Sequence, residues 1–596
     1  MAFRVGVFAL LLLVCFLVSE RVWADGGDGA EPASSLTEYS PYEQEAIDLV
    51  LVEYGFEVEL DPEGKLIERV EIVTLPVSEA RDPLPGFVNV FHVVSKRKTV
   101  ERELLVRVGD RYRAVLVDET ARNLRSLIQF SVVLCVPVRG TSDDRVGLVV
   151  ITKDIWSLRL NSDVRYSRGG LESLTLQPAE LNVFGTHHTG AVLFRLDPAS
   201  WATGAQYIVP RVTGYLLRVS GSVNVIVNRD TGKTEGSWGG YSVGRPLLTS
   251  RTEWSWYSST VWKHDVTRRF VDARLALYDA AVTDVDDGIP YEYRGREVLH
   301  RSAVTRSYGW AVKNDFSVGV EYDYRVYAGM WVDGVAEEAL REFRDLRVPT
   351  DTTRLSPFLQ FDGYSTDYMR VLDMETLGLQ EDYQLGHSVA VKVYPAVSGF
   401  GSTRSLFGVF VGVHYTVPLG DGLARVGVEN TTEVEWEKVA DGAVRVNARV
   451  VSPRLGFGRV LVDTDVLYRY RNYMTSVTWL GGNTRLRGYP SNFFAGEDVV
   501  TSNLEYRSKP LDLLTLQLGG AVFYDTGVVW DRGGAFDVHS SVGFGVRALL
   551  PQIDRVVMRA DVGFPLAEHG LPVGVSPYSF YLAVGQAFPM PVLLVP

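Results

Sequence analysis

Glu505 and Asp525 stand on two segments whose apolar residues alternate, and each carboxylate has the opposite parity. Leu504 and Tyr506 flank the first acid, while Leu516, Leu518, Val522 and Tyr524 set the parity against which Asp525 is read. Side chains alternate across a strand, so both acids leave the apolar face. Two carboxylates turned to one enclosed face need a cation, and the planar fork of an arginine suits them. That is the chemistry of an ion lock, not of bond making. Other candidates for chemistry are weaker. The nine His are scattered, and His187-His188 sits at a turn beside Gly185, where adjacent side chains point opposite ways. Asp284, Asp286 and Asp287 have the donors for calcium but read more simply as solvated loop acids. There is no P-loop, nucleophile elbow or paired metal motif. We therefore expect no enzyme activity and no cofactor.

The elements that must position these acids are strands. From about 157 to 588, alternation recurs segment after segment. Phe316, Val318, Val320, Tyr322 and Tyr324 alternate with Ser317, Gly319, Glu321 and Asp323, and Val542, Phe544 and Val546 with Gly543, Gly545 and Arg547. Many segments reach the roughly 9–11 residues of a tilted membrane strand, and the polar face carries both charge signs, as a water-filled lumen does. No apolar run of about 18 residues follows the first two dozen. Closing the sheet on itself then satisfies the backbone, which gives an all-β transmembrane antiparallel β-barrel; from the pattern alone, a soluble all-β enzyme or lectin is the other reading. Residues 264–300 and 328–352 are polar or acidic and read as long outer loops. Trp254, Trp256 and Trp262 are candidates for an aromatic girdle.

The 596 residues leave room for a smaller domain in front. Arg4, the apolar Val5–Val18 and the Val22-Trp23-Ala24 site read as a signal peptide over 1–24, cleaved after Ala24. Residues 25–64 read as a flexible periplasmic lead-in. Residues 65–156 have the order strand, helix, helix, strand, strand. Leu66–Leu75 is the first strand, Val100, Leu104, Leu105 and Val108 lie at helical spacing, Asp118 is a candidate N-cap for Ala121, Leu124 and Ile128, and Val132–Val138 and Val146–Thr152 follow. Cys135 is alone once Cys15 leaves with the signal, so no disulfide forms within the mature chain. A net charge of −13 argues against nucleic acid as a partner.

The stretch ERELLVRVGDRYRAVLVDETARNLRSL, with its Gly109-Asp110-x-Tyr112 turn, resembles a polypeptide-transport-associated (POTRA) domain. The stretch GGNTRLRGYPSNFFAGEDVVTSNLEYRSKPL, followed by LQLGGAVFYDTGVVW, resembles the C-terminal barrel of the BamA/TamA-type outer-membrane assembly and translocation family. The resemblance implies a barrel of about 16 strands and a loop that dips into it with an Arg-Gly-aromatic tip, here Arg487, Gly488 and Tyr489. It also implies an acid matched by Glu505 and a Phe-x-Asp-x-Gly strand matched by Phe523, Asp525 and Gly527. On this reading Arg487 locks the loop against the two lumenal carboxylates, and Gly488 lets it turn close to the wall. Asn182 and Gly185 align with a turn near the start of such barrels. The last strand, Phe580 to Phe588 with Phe580, Leu582, Val584 and Phe588 on one face, resembles the terminal β-signal, although residues 589–596 run past the usual end.

The resemblance implies an outer-membrane protein with its N-terminal domain in the periplasm. Its partners would be unfolded outer-membrane or secreted polypeptides, outer-membrane lipids, and periplasmic chaperones or accessory subunits. It would insert or pass these polypeptides by adding their strands to an exposed sheet edge. The alternative is a passive pore for small solutes.

Overall fold

Alternating sequence becomes an alternating wall. In the computed structural model, which describes residues 39–590 apart from 83–85, 87–88, 90–91, 168–169, 213–215, 331, 437, 567–570 and 573–574, twenty antiparallel strands close into a barrel. Leu511–Leu513 continues Asp498–Ser508 along the same neighbour. The signal peptide and the lead-in as far as residue 38 lie outside the described residues. The first wall strand is Leu158–Ser167 and the last Ser579–Val584. They meet at a seam of three residue pairs, Phe580 to Leu582 against Tyr166 to Val164. The last strand pairs over six residues with its other neighbour, and the first over ten.

The expectation of about 16 strands is too low. Arg218–Asn228 and Thr234–Arg245 are full wall strands although Ser and Gly crowd them, a composition that argues for turns when read locally. Trp254–Arg268 and Glu292–Tyr308 also claim both ends of the expected loop 264–300, leaving 269–291 outside the wall. Within the other expected loop lies a helix, Glu337–Arg347. Trp254 and Trp256 are exposed on the outer face, while Trp262 packs over the space left by Gly239.

Ahead of the barrel is a three-stranded sheet in the order Leu66–Leu75, Arg145–Asp154, Phe130–Arg139, the first pair parallel and the second antiparallel. A correction falls at 25–64, expected to be a flexible lead-in. Pro41–Tyr54 is an α-helix, started by a capping box between Ser40 and Glu43 with proline in its first turn. Its Tyr42, Ala46, Ile47 and Val50 are buried with Val73, Leu134 and Ile151 of the sheet. Helix Ala114–Arg125 covers the opposite sheet face, and Asp118 lies inside it, not at its cap. The other expected helix shrinks to Arg97–Glu101. Gly109 takes the left-handed conformation (φ +93) and donates to the Ile67 carbonyl at 2.8 Å, so the expected turn forms against the first strand.

The insertion 366–385, between wall strands Thr352–Ser365 and Gly386–Ala396, joins the two parts. Its paired strands Tyr368–Leu372 and Gln380–Gln384 dock on the small domain. Arg125 grips Asp382 at 2.7 Å, Arg370 grips Asp118 at 2.8 Å, and the Gln380 N–H donates to Glu43 at 3.1 Å. The tip between them reaches the lumenal wall. Arg507 donates to the Met374 carbonyl at 2.6 Å, and Arg449 lies 3.3 Å from Glu375.

Candidate functional site: a buried arginine lock in the lumen

After wall strand Gly458–Arg471 the chain folds back into the barrel through a short hairpin, Thr478–Leu480 with Phe494–Gly496. Gly481, Gly482 and Gly488 all take positive φ, which lets the tip turn tightly. The tip places Arg487 at 0 % exposure between the two acids singled out by strand parity. Its Nε and Nη2 donate to the two oxygens of Asp525 at 2.8 and 2.9 Å, and its Nη1 donates to Glu505 at 2.7 Å. The backbone N–H of Arg487 adds a third bond to Asp525 at 3.1 Å. The guanidinium lies 3.4 Å over the ring of Phe523, a cation–π contact that seals its apolar side. Burial alone would lower the pKa of Arg487; Asp525 and Glu505 outweigh it and hold the group protonated.

Gly488 and Tyr489 fix the tip to the end of the barrel. A Cβ on Gly488 would sit 3.0 Å from Ser541 and 3.1 Å from the Pro565 nitrogen. The Ser579 hydroxyl donates to the Gly488 carbonyl at 3.0 Å, and the Tyr581 hydroxyl donates to the Tyr489 carbonyl at 2.7 Å. Both donors belong to the last wall strand, so the loop holds one side of the seam. Tyr489 is buried with Leu480 and Leu486 and meets Phe494 edge-on. Gly527 lies under Leu480, where a Cβ would be at 3.0 Å. All seven residues expected to form the lock therefore meet at one place.

Several partners are additional to those seven. Asn503 donates to Asp525 at 2.8 Å and to the Arg485 carbonyl at 2.7 Å. Arg507 donates to Glu505 at 2.7 Å, while Arg547 and Arg559 both donate to Asp561 at 2.5 Å. The signal for Arg547, Arg559 and Asp561 was parity, since each alternates with lipid-facing residues. Gly563 shares that parity, but parity does not say why glycine stands there. Its Cβ would strike the Gly488 nitrogen at 2.6 Å, so the wall must be bare there.

The expected terminal face needs a correction. Phe580, Leu582 and Val584 face outward, at 45, 42 and 43 % exposure, but the strand ends at Val584. Gly585 (φ +90) turns the chain, and Phe588 is buried inside the lumen at 2 % exposure. Gly is the residue that allows this turn, and alternation read through it wrongly extends the strand.

The weaker expected turn, Asn182 to Gly185, anchors the small domain. Asn182 donates to the Val93 carbonyl at 2.9 Å and accepts from the His187 N–H at 2.9 Å. His187 is buried and bonds Ser95 at 2.7 Å, while His188 faces Tyr207 at 3.1 Å. Among the described residues no metal-ligating group gathers at Asp284–Asp287; Asp286 and Asp287 accept backbone N–H groups of their own turn.

Residues 409–588, which contain the lock and the last strand, match the Omp85 superfamily domain. Residues 409–588 carry an Omp85 superfamily domain. Among solved structures, similarity extends to BamA from Haemophilus ducreyi lacking POTRA domains 1–3, at 13 % identity over 91 % of this chain and 92 % of that one, TM-score 0.34. CdiB from Escherichia coli is 11 % identical over 89 % and 80 %, TM-score 0.43, and CdiB from Acinetobacter baumannii 10 % over 88 % and 74 %, TM-score 0.37. No curated protein sequence matches the chain.

Proposed function

We propose that this Omp85 barrel inserts polypeptides into the outer membrane or passes them across it. The observation that carries the reading is the seam. Three residue pairs join the first and last strands, and the first strand pairs over ten with its other neighbour. A short seam is the least costly place to open a closed sheet, and an opened edge offers unpaired N–H and C=O groups to an incoming strand. The Arg487 loop holds the last strand through Tyr581 and Ser579, so it sets how that side of the seam is presented. In this reading the small N-terminal domain is a periplasmic POTRA domain that receives clients, delivered by chaperones or accessory subunits, and Phe580, Leu582 and Val584 form the part of a terminal β-signal that faces lipid.

A second reading, a passive pore, is favoured by one observation. A lumenal cavity of about 780 Å³ lies against the wall between Arg165 and Arg268, lined by Arg195, Asp197, Gln206, Lys263 and Asp265. Depleting the protein and quantifying the outer-membrane proteome separates the two. A broad loss of barrels marks a general assembly factor, and loss of one or a few proteins marks a dedicated transporter. An unchanged proteome with reduced solute uptake would replace the polypeptide reading with the pore.

A further inference from the structure

On the side of the barrel that faces the small domain, three wall strands bring an unusual row of side chains together. Ser307 of Glu292–Tyr308 stands opposite Asp315 of Val312–Gly329, and Asp315 stands opposite Asp362 of Thr352–Ser365. All three have the lumenal parity. Their chain neighbours Tyr308, Phe316 and Phe361 take the outer face, where Phe316 packs 6.1 Å from Tyr308 and 5.1 Å from Phe361. Directly opposed residues have Cβ atoms about 4.5–5.5 Å apart, so two carboxylates and a hydroxyl crowd one small volume.

Like charges set opposite each other on a strand pair repel, and further along the same strand that cost is removed. Glu321 takes Lys392 at 2.8 Å, and Asp323 takes Arg325 at 2.8 Å. Among the described residues Asp315 and Asp362 have no such basic partner. Lys313, two places before Asp315, gives its ammonium to the Ser250 carbonyl at 2.9 Å. Asp362 accepts from the Gln360 amide at 2.8 Å and Asp315 from the Tyr364 hydroxyl at 3.3 Å, one bond each from a neutral group. The other oxygen of Asp315, a residue 6 % exposed, is buried without a hydrogen bond, and so is the hydroxyl of Ser307, at 3 % exposure. Buried oxygens left unbonded are costly. Two carboxylates with neutral oxygens beside them are the donor set of a hard divalent cation.

We propose that Asp315, Asp362 and Ser307 bind a calcium ion, the two carboxylates neutralising its charge and the hydroxyl oxygen completing one side. Calcium takes about six to eight oxygen ligands in flexible geometry, so lumenal water can fill the remaining positions, whereas magnesium demands a near-ideal octahedron. The ion would tie three consecutive strands together where the wall meets the small domain. Strand Thr352–Ser365 runs directly into the insertion 366–385. Lys313 holds Ser250, whose N–H and hydroxyl donate to Glu119 of helix Ala114–Arg125 at 2.6 and 2.7 Å. The site needs no polypeptide client and does not rest on the function proposed above.

The test is a calorimetric titration of calcium chloride into the full-length protein in detergent, with potassium chloride at physiological strength. Binding is expected with a Kd of about 10⁻⁴–10⁻³ M, the range of weak calcium sites. Asp315→Asn and Asp362→Asn keep the side-chain shape and remove one charge, and each should weaken binding by about tenfold or more. Ser307→Ala should weaken it severalfold; it leaves both charges in place, which keeps the test open should an Asn variant misfold. Asp284→Asn, Asp286→Asn and Asp287→Asn combined, in the outer loop, should leave binding unchanged. No calcium binding to the heat-modifiable, folded wild-type protein would overturn the site. So would binding that survives both Asp315→Asn and Asp362→Asn, or binding that disappears in the outer-loop variant. Magnesium binding more tightly than calcium would overturn the choice of ion.

Discussion

At Arg487 a single side chain ties a loop to two wall strands and, through its neighbours, to the last one. Three of its bonds go to Asp525 and one to Glu505, all from fully buried atoms. Arg487→Ala would leave Asp525 without its cation while Glu505 keeps Arg507, at about 3–5 kcal/mol for breaking a buried pair. The barrel, closed by hydrogen bonds around its whole wall, should still insert. The expected outcome is a heat-modifiable, membrane-inserted protein that no longer supports its clients; intact client levels would refute the lock. Arg487→Lys should rescue poorly, since one ammonium cannot span both acids as a fork does. The lock was legible because parity is local: Leu504, Tyr506, Val522 and Tyr524 are enough to aim Glu505 and Asp525. Gly563 was illegible because its reason is a clash with residue 488, far off in the sequence.

Elements obey local rules until a glycine or a tertiary contact intervenes. Strand Leu66–Leu75 follows its apolar pattern to the residue. The capping box at Ser40 and Glu43 was available in the sequence, but the acidic, Gly-rich stretch before it set the reading of the segment. Strands 218–245 hide for a tertiary reason: a Cβ on Gly236, Gly239 or Gly244 would strike the backbone of the neighbouring strand, which local composition does not announce. The turn 182–187 illustrates a contact that no pattern announces, and it gives a pH prediction. Burial lowers the pKa of His187 from 6.5 to about 4. The docked state therefore keeps the imidazole neutral, while the undocked state binds a proton more readily. Docking of the small domain should be strongest above pH 6.5 and weaken as the pH falls from there toward 4. Limited proteolysis of the 93–96 segment across that window reads the effect, and His187→Gln should flatten it.

Across the whole molecule, the insertion 366–385 touches the small domain through Asp382, and its Glu375 bonds Gln586 and Met590 of the tail past Gly585. Replacing residues 373–379 with a Gly-Ser linker should raise conductance in planar bilayers severalfold, since the tip and the tail fill the lumen beside the lock. Unchanged conductance would mean that the tip does not obstruct the lumen.

That filling is lopsided. The wall from Arg449 to Tyr581 is braced from within by ion pairs, the loop and the tail, while the wall from Arg165 to Arg268 lines the cavity of about 780 Å³ and carries Gly204, Gly221, Gly236, Gly239, Gly240 and Gly244. A ring that is stiff on one arc and compliant on the other does not deform evenly under load. It flattens at the soft arc and opens where the two arcs meet, and the three-pair seam is one of those two meeting points. A pull on the small domain, which joins the soft arc directly at Leu158, would thus be converted into displacement at the seam.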